Sequence, residues 1–254
     1  VNRRFKLGPL SIDPVTQDEA LRAVEDLVRR GEGGAVFTPN VDHIMIADEN
    51  PRMQNAYSRA DLSLADGMPV LWASRLLGEP LPEKVSGSDF VPALLERAAE
   101  RGLRVYFLGG APGVAALARD KLLARLPRLQ VVGVDVSRID ADDPPAQWEP
   151  LVERIRATKP DLVFVALGAP KQEIWIDAVR EKLRPAVLLA VGGSLDFVAG
   201  AMPRAPQWMS RSGLEWIFRL SREPRRLWRR YLVRDPKFAI LLGRALVSRA
   251  RARD

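Results

Sequence analysis

The sequence predicts an α/β fold: a mostly parallel sheet flanked by helices, followed by a basic, helical C-terminal appendage. Three observations predict it. About six short apolar runs alternate with amphipathic helical patterns up to residue 202. Five of those runs end in polar turns, and parallel topology gathers such turns on one sheet edge. From residue 203 the alternation stops and only helical patterns remain. The expected division is therefore a Rossmann-like body, residues 1–202, and an appendage, residues 203–254.

Composition sets the bounds. The chain has 254 residues, 47% of them hydrophobic, enough for one sizeable core or a core plus an appendage. It has no cysteine, so it has no disulfide or thiolate metal site, which fits a reducing compartment. No apolar run has the length of a membrane span, and residues 1–5 do not read as a signal peptide. The net charge of +7 is unevenly spread. Residues 203–254 carry 13 Arg and 1 Lys against 4 acids, a net of +10, and the rest of the chain is at −3. Such asymmetry implies an anionic partner for the tail: a membrane surface, a nucleic acid or another polyanion.

Thr16-Gln17-Asp18-Glu19 is a capping box opening a helix with Ala20, Val24, Leu27 and Val28 on one face. Residues 35–37 read as a buried strand stopped by Pro39, with Asn40 able to cap the next helix. The lone histidine, His43, lies in that helix and reads as a packed or surface residue. With no cysteine beside it, a classical zinc site is not expected. Residues 61–65 read as a strand ending at Asp66; Gly67 permits a turn and Pro69 suits a first helical turn. Asp66 then faces the crevice where open α/β sheets bind ligands, although a carboxylate that merely caps its turn has the same spacing. Lys84 sits in the next loop, as a solvated charge or a phosphate contact, before a helix capped by the Ser86-Gly87-Ser88-Asp89 run.

A strand at 104–108 leads into Gly109-Gly110-Ala111-Pro112-Gly113 and a helix, then a strand at 129–134 ending at Asp135. This imitates a dinucleotide fingerprint but lacks the G-x-G-x-x-G spacing. The turn fits a phosphate-facing loop or a purely structural one. Asp140-Ala141-Asp142 is a D-x-D string in a proline-rich stretch and reads as a solvated loop rather than a metal site. A helix at 147–158, a strand at 161–167 and the turn Gly168-Ala169-Pro170-Lys171-Gln172-Glu173 follow. A last strand at 186–191 ends in Gly192-Gly193-Ser194-Leu195-Asp196-Phe197.

In the tail, Arg211, Glu215, Arg219 and Arg222 form one stripe, with Met209, Trp216, Ile217 and Leu220 on another side. Beyond Pro224 an arginine face opposes Leu227, Trp228, Tyr231 and Leu232, and residues 238–247 are almost entirely apolar. These faces suit a helix lying in a membrane interface, or docking on the body, or both.

The strings Thr38-Pro39-Asn40, Ala65-Asp66-Gly67, Gly87-Ser88-Asp89, Phe107-Leu108-Gly109-Gly110 and the two turns at 168–173 and 192–197 resemble the WecG/TagA/CpsF glycosyltransferases, in that family's order. The resemblance runs from about residue 8 to about residue 232. It implies a Rossmann-like body of the GT-E type and a C-terminal appendage that helps bind the membrane and complete the site. It implies an inverting transfer of a sugar, N-acetylmannosamine or a related hexose, from a UDP-sugar to a polyprenyl-diphosphate-linked saccharide. Such enzymes build teichoic acid linkage units, enterobacterial common antigen and exopolysaccharides at the cytoplasmic face of the membrane. No cofactor or metal is expected, nor a nucleic-acid partner, and self-association in solution is left open.

Matched position by position, Asp66 corresponds to the family's general base and Thr38 to a threonine at the reacting sugar. Asn40 lines the same pocket. Lys84 stands where members often have arginine, and Gln172 and Asp196 match polar residues at the nucleotide-sugar pocket. Some members place an aromatic near the uracil within 134–139; here that stretch reads Val136-Ser137-Arg138. Gly109 and Gly110 are candidate phosphate contacts, and Arg211, Arg219 and Arg222 are candidates to close over the diphosphate. Two further readings draw on single features. A dinucleotide-dependent oxidoreductase would use the Gly109 turn and Asp135, and a nucleic-acid-binding module would use the tail.

Overall fold

The structure is a computed structural model describing residues 3–110 and 113–251, without the side chains of Gln207, Arg211, Arg226 and Ala250. It opens with a hairpin, β1 (Phe5–Leu7) and β2 (Leu10–Ile12), which the sequence reading did not contain. The elements then run α1 (Gln17–Arg30), β3 (Gly34–Phe37), α2 (Val41–Glu49), α3 (Pro51–Ser58), β4 (Leu62–Ser63), α4 (Met68–Leu76) and α5 (Gly87–Arg101). Next come β5 (Arg104–Gly109), α6 (Val114–Arg125), β6 (Gln130–Asp135), α7 (Pro145–Ala157), β7 (Leu162–Ala166), α8 (Lys171–Val179), β8 (Val187–Ala190) and α9 (Ser194–Val198). The tail holds α10 (Gln207–Arg211), α11 (Glu215–Arg222) and α12 (Pro224–Arg229). A π-helical stretch, Arg230–Arg234, and one 3-10 turn, Asp235–Lys237, lead from there into α13 (Phe238–Arg251).

Six strands form one sheet in the order β4-β3-β8-β7-β5-β6, every pair parallel, so the predicted Rossmann-like α/β class holds. Both faces are covered, which is why β3, β7 and β8 are apolar throughout. One face packs Phe37, Leu108, Val165 and Leu188 with α2, α3, α7 and α8 residues such as Met53, Trp148 and Trp175. The other packs Val36, Phe107, Phe164 and Leu189 against α1, α5, α6 and Leu195 of α9. The chain thus leaves β3 toward the first face and the adjacent β8 toward the second. Diverging connections open a crevice between the carboxyl ends of those two strands.

Strand β4 is shorter than the predicted 61–65 run, because regular pairing stops at Ser63. The backbone still follows its neighbour: Leu64 N–H donates to the Phe37 carbonyl at 2.8 Å and Asp66 N–H to the Pro39 carbonyl at 3.0 Å. Those bonds hold Asp66 beside the start of α2. Asp13 ties the hairpin to β4, pairing with Arg4 at 2.9 Å and accepting from Ser63 N–H at 2.8 Å.

The tail folds back over the body. Arg234 meets Asp42 of α2 at 2.7 Å, and Arg204 meets Asp89 of α5 at 3.0 Å. Phe238 is buried, and Leu241, Leu242 and Ala245 pack against the first core. Among the described residues, no helix is long and apolar enough to cross a membrane.

Candidate active site

Two chambers meet at the sheet edge, sharing Asn40, Asp66, Glu215, Arg219 and Arg230. The first, about 400 Å³, is polar and sits over the β3–β8 crevice. Thr38 and Asn40 enter it from the end of β3, Gly192 and Gly193 from the end of β8, and Gln172 from the start of α8. Ser86, Gly87 and Ser88 bring the N-terminus of α5, an end that favours anions, to the same wall. The second, about 330 Å³, is amphipathic: Lys84 and Asp66 face Met68, Trp216, Tyr231 and Phe238.

Asp66 sits where the chambers join. Burial raises its carboxyl above the ordinary carboxylate value, and the nearby Glu215 raises it further, against opposing pulls from Lys84, Arg219 and His43. Lys84 donates to Ser210 Oγ at 2.9 Å, and that hydroxyl donates to Glu215 Oε2 at 3.1 Å. A body lysine and a tail carboxylate are thereby joined beside Asp66. Asp235, also on the amphipathic wall, is pushed up to about 6 by burial, against the pull of Arg230.

Asn40 caps α2 and is held from several sides. Its Oδ1 accepts from His43 N–H at 3.3 Å and from Arg230 at 3.1 Å, and it lies 2.8 Å from His43 Nδ1. The other ring nitrogen of His43 is 3.4 Å from Glu173 Oε1, which also accepts from Gln172 at 2.9 Å. Gln172 Oε1 in turn accepts from Gly192 N–H at 3.1 Å. Glu173, fully buried, therefore orients both His43 and Gln172.

The crevice thus brings together Thr38, Asn40, Asp66, Lys84, Gln172 and Arg219. Asp196 lies just behind it in α9, where its Oδ2 and the Arg219 guanidinium both approach Gly193. Arg219 also stacks on Phe197, 5.6 Å from the ring centroid. Arg222 departs from expectation: it lines neither chamber, because its guanidinium folds onto Phe218 one turn back on the exposed side of α11. The Arg211 side chain lies outside the described residues. Gly109 and Gly110 also stand apart, in a separate cleft with Val136, Arg138, Asp140 and Lys171.

Asp135 is committed internally. One oxygen accepts from Ser137 N–H at 2.7 Å and the other from Arg154 at 2.8 Å, so neither is presented for a cofactor ribose. Of the D-x-D pair, Asp140 meets Lys171 at 3.5 Å and Asp142 meets Arg52 at 3.3 Å.

His43 is packed, its side chain 11% exposed and held between Asn40 and Glu173, and it also borders the polar chamber. Its place three residues after a capping asparagine was the available signal. Glu173 and Glu215 lie within the 168–173 turn and the tail stripe, where their local pattern does not mark them as site residues. Arg230 and Tyr231 had no local signal, since they reach the site only through the fold-back of the tail.

Comparison with known proteins adds two findings. The model of the glycosyl transferase WecG/TagA/CpsF family matches residues 5–252. The N-acetylglucosaminyldiphosphoundecaprenol N-acetyl-beta-D-mannosaminyltransferase of Bacillus spizizenii strain W23 is 35% identical over 203 residues, covering 80% of this chain and 76% of the relative.

Proposed function

The chain belongs to the WecG/TagA/CpsF family of glycosyl transferases, and from that premise we propose that it moves N-acetylmannosamine or a related hexose from a UDP-sugar to a polyprenyl-diphosphate-linked saccharide. The setting is cell-envelope polysaccharide or teichoic acid synthesis at the cytoplasmic face of the membrane. The name of the Bacillus spizizenii relative supports the sugar and the acceptor class. The observation that carries the reading is the meeting of a polar, arginine-rich chamber and an amphipathic one at a single carboxylate, Asp66. A nucleotide sugar suits the first chamber, and a saccharide on a lipid diphosphate suits the second.

Inverting transfer is one displacement. The acceptor hydroxyl oxygen forms a bond to the anomeric carbon as the bond from that carbon to the diphosphate oxygen breaks, and UDP leaves with the electron pair. Asp66 takes the hydroxyl proton, and its raised proton affinity makes it a better base than an exposed aspartate. Negative charge grows on the leaving diphosphate. Arg219 and Arg230, with the start of α5, supply the positive potential there, in a recess where such interactions are strong. Thr38 and Asn40 orient the reacting sugar.

Replacing Asp66 by Asn is expected to lower turnover ~100- to 10,000-fold while calorimetry finds UDP binding nearly intact. Retention of more than about a third of the wild-type rate would remove Asp66 as the base. Because arginines and helix N-termini take the role a cation plays elsewhere, activity should persist in excess EDTA. Loss of activity that magnesium or manganese restores would reassign the diphosphate to a metal, with Asp140 and Asp142 the first residues to test.

A further inference from the structure

Helices α4 and α13 are brought near each other at both ends. Met68 and Pro69 at the start of α4, and Phe238 at the start of α13, line the same amphipathic chamber. At the far ends, Arg249 of α13 donates to the Leu77 carbonyl just past α4 and pairs with Glu79. Both helices therefore start at the chamber and run the same way from it.

Each docks one side on the body and carries exposed apolar side chains on the other. α13 turns Phe238, Leu241, Leu242 and Ala245 toward the body, a spacing that leaves Ile240 and Val247 on the opposite side, 59% and 53% exposed. α4 buries Val70, Leu71 and Ala73 and exposes Trp72 and Leu76, at 43% and 63%. A helix docked on a core ordinarily shows water a polar outer face. Exposed arginines share this outer side: Arg75 on α4, and on α13 Arg244 and Arg251, which fall in the same stripe as Ile240 and Val247. Apart from Leu117, Leu123 and Val136, every large apolar side chain exposed among the described residues lies on α4 or in the tail.

We propose that the outer faces of α4 and α13 form one insertion surface for an anionic bilayer, so that the catalytic body itself, through Trp72 and Leu76, enters the membrane beside the chamber mouth. The purpose of the surface rests on the reading that the acceptor is lipid-linked. The occupant follows from charge: the tail carries a net of +10, which attracts anionic headgroups and repels a second copy of the chain. Exposed aliphatic side chains and an indole interspersed with arginines suit a bilayer interface, where long basic side chains reach the headgroups. The surface is continuous with the rest of the tail. Gly213, at φ 74°, lies so close to Trp72 that a Cβ there would come within 2.5 Å of the ring, and the turn it makes carries α10 with its exposed Trp208.

The test is co-sedimentation of the full chain with phosphatidylcholine vesicles, with and without phosphatidylglycerol. The variants are Leu76→Asp on α4, Val247→Asp on α13 and, as a control, Leu117→Asp on α6; none of the three lines either chamber. Leu76→Asp and Val247→Asp should each weaken binding to the anionic vesicles about tenfold or more, while Leu117→Asp binds as wild type. Melting curves and transfer to a short-chain, water-soluble acceptor should be unchanged in all three, which separates loss of binding from loss of folding. Undiminished vesicle binding by Leu76→Asp overturns the proposal, whether or not Val247→Asp falls. So does a wild-type dimer that Leu76→Asp splits while vesicle binding persists, since the face would then belong to a second copy. If no polyprenyl-diphosphate acceptor is used yet Leu76→Asp loses vesicle binding, the functional reading fails and the surface stands.

Discussion

At the scale of single residues, burial raises the proton affinity of Asp66, and two opposed neighbours on different parts of the chain adjust it. Glu215, from the tail, raises it, and Lys84, from the body, lowers it; burial is the largest influence, and Arg219 and His43 pull with Lys84. A base works only when ionised, so with Asp66 in the role proposed above activity should be lost as pH falls through its pKa. We predict that Glu215→Gln removes a repelling charge and moves the acid limb of the pH–rate profile to lower pH. Lys84→Gln should move it to higher pH. Paired profiles of kcat/KM check this, and shifts of the same sign in both variants would defeat it. Asp66, Thr38, Asn40 and Gln172 were legible in the sequence because each ends or follows a strand. Glu215 was not legible as a site residue, because a glutamate in an arginine stripe has the same local pattern whether it faces solvent or Asp66.

At the scale of elements, the alternation of strand and helix was legible because buried parallel strands read as plain apolar runs. The hairpin was not: β1 and β2 have three residues each, too few for a period of two to stand out. The glycine turn after β5 shows a second limit. Its glycines admit a phosphate-facing or a structural reading, and what decides for Gly109 is a neighbour distant in sequence. Gly109 has φ 92°, and a Cβ there would sit 2.6 Å from the Ala166 carbonyl oxygen of β7. We therefore predict that Gly109→Ala costs about 3 kcal/mol, from left-handed strain together with a clash against backbone that cannot move aside. Gly113→Ala, at φ 80° with no atom within 4 Å of the added carbon, should cost only about 1 kcal/mol. Urea titrations compare the two, and equal losses would show that the approach to β7 is not what requires glycine.

At the scale of the whole molecule, the reading proposed above gives the tail two tasks that its composition does not separate. Its charge and amphipathic stripes fit docking on the body, lying on a membrane, or both; in the fold both parts of the tail dock, and the membrane task proposed for α13 would fall to its outer side. Residues 215–235 roof the chambers with Glu215, Arg219, Arg230 and Tyr231, whereas α13 runs outward from the chamber mouth. Nested truncations should therefore part the two tasks. Removing residues 239–254 spares every described tail residue that lines a chamber, Phe238 included, and takes away the outer half of the apolar surface. That chain should still transfer sugar to a water-soluble acceptor but bind anionic vesicles poorly. Removing residues 203–254 should leave a folded α/β body, because one core cluster contains no tail residue and the other loses little beyond Phe238 and the α13 side chains packed on it. It should nevertheless lose more than about 100-fold in transfer even to the soluble acceptor, since losing a single preorganised charge-stabilising donor can have that effect and here two arginines leave together. Circular dichroism establishes that each truncated chain is folded before its activity is read. Full transfer by the body alone would reduce the tail to an anchor. Undiminished vesicle binding by the shorter truncation would remove α13 from the membrane and leave the roof as the tail's whole contribution.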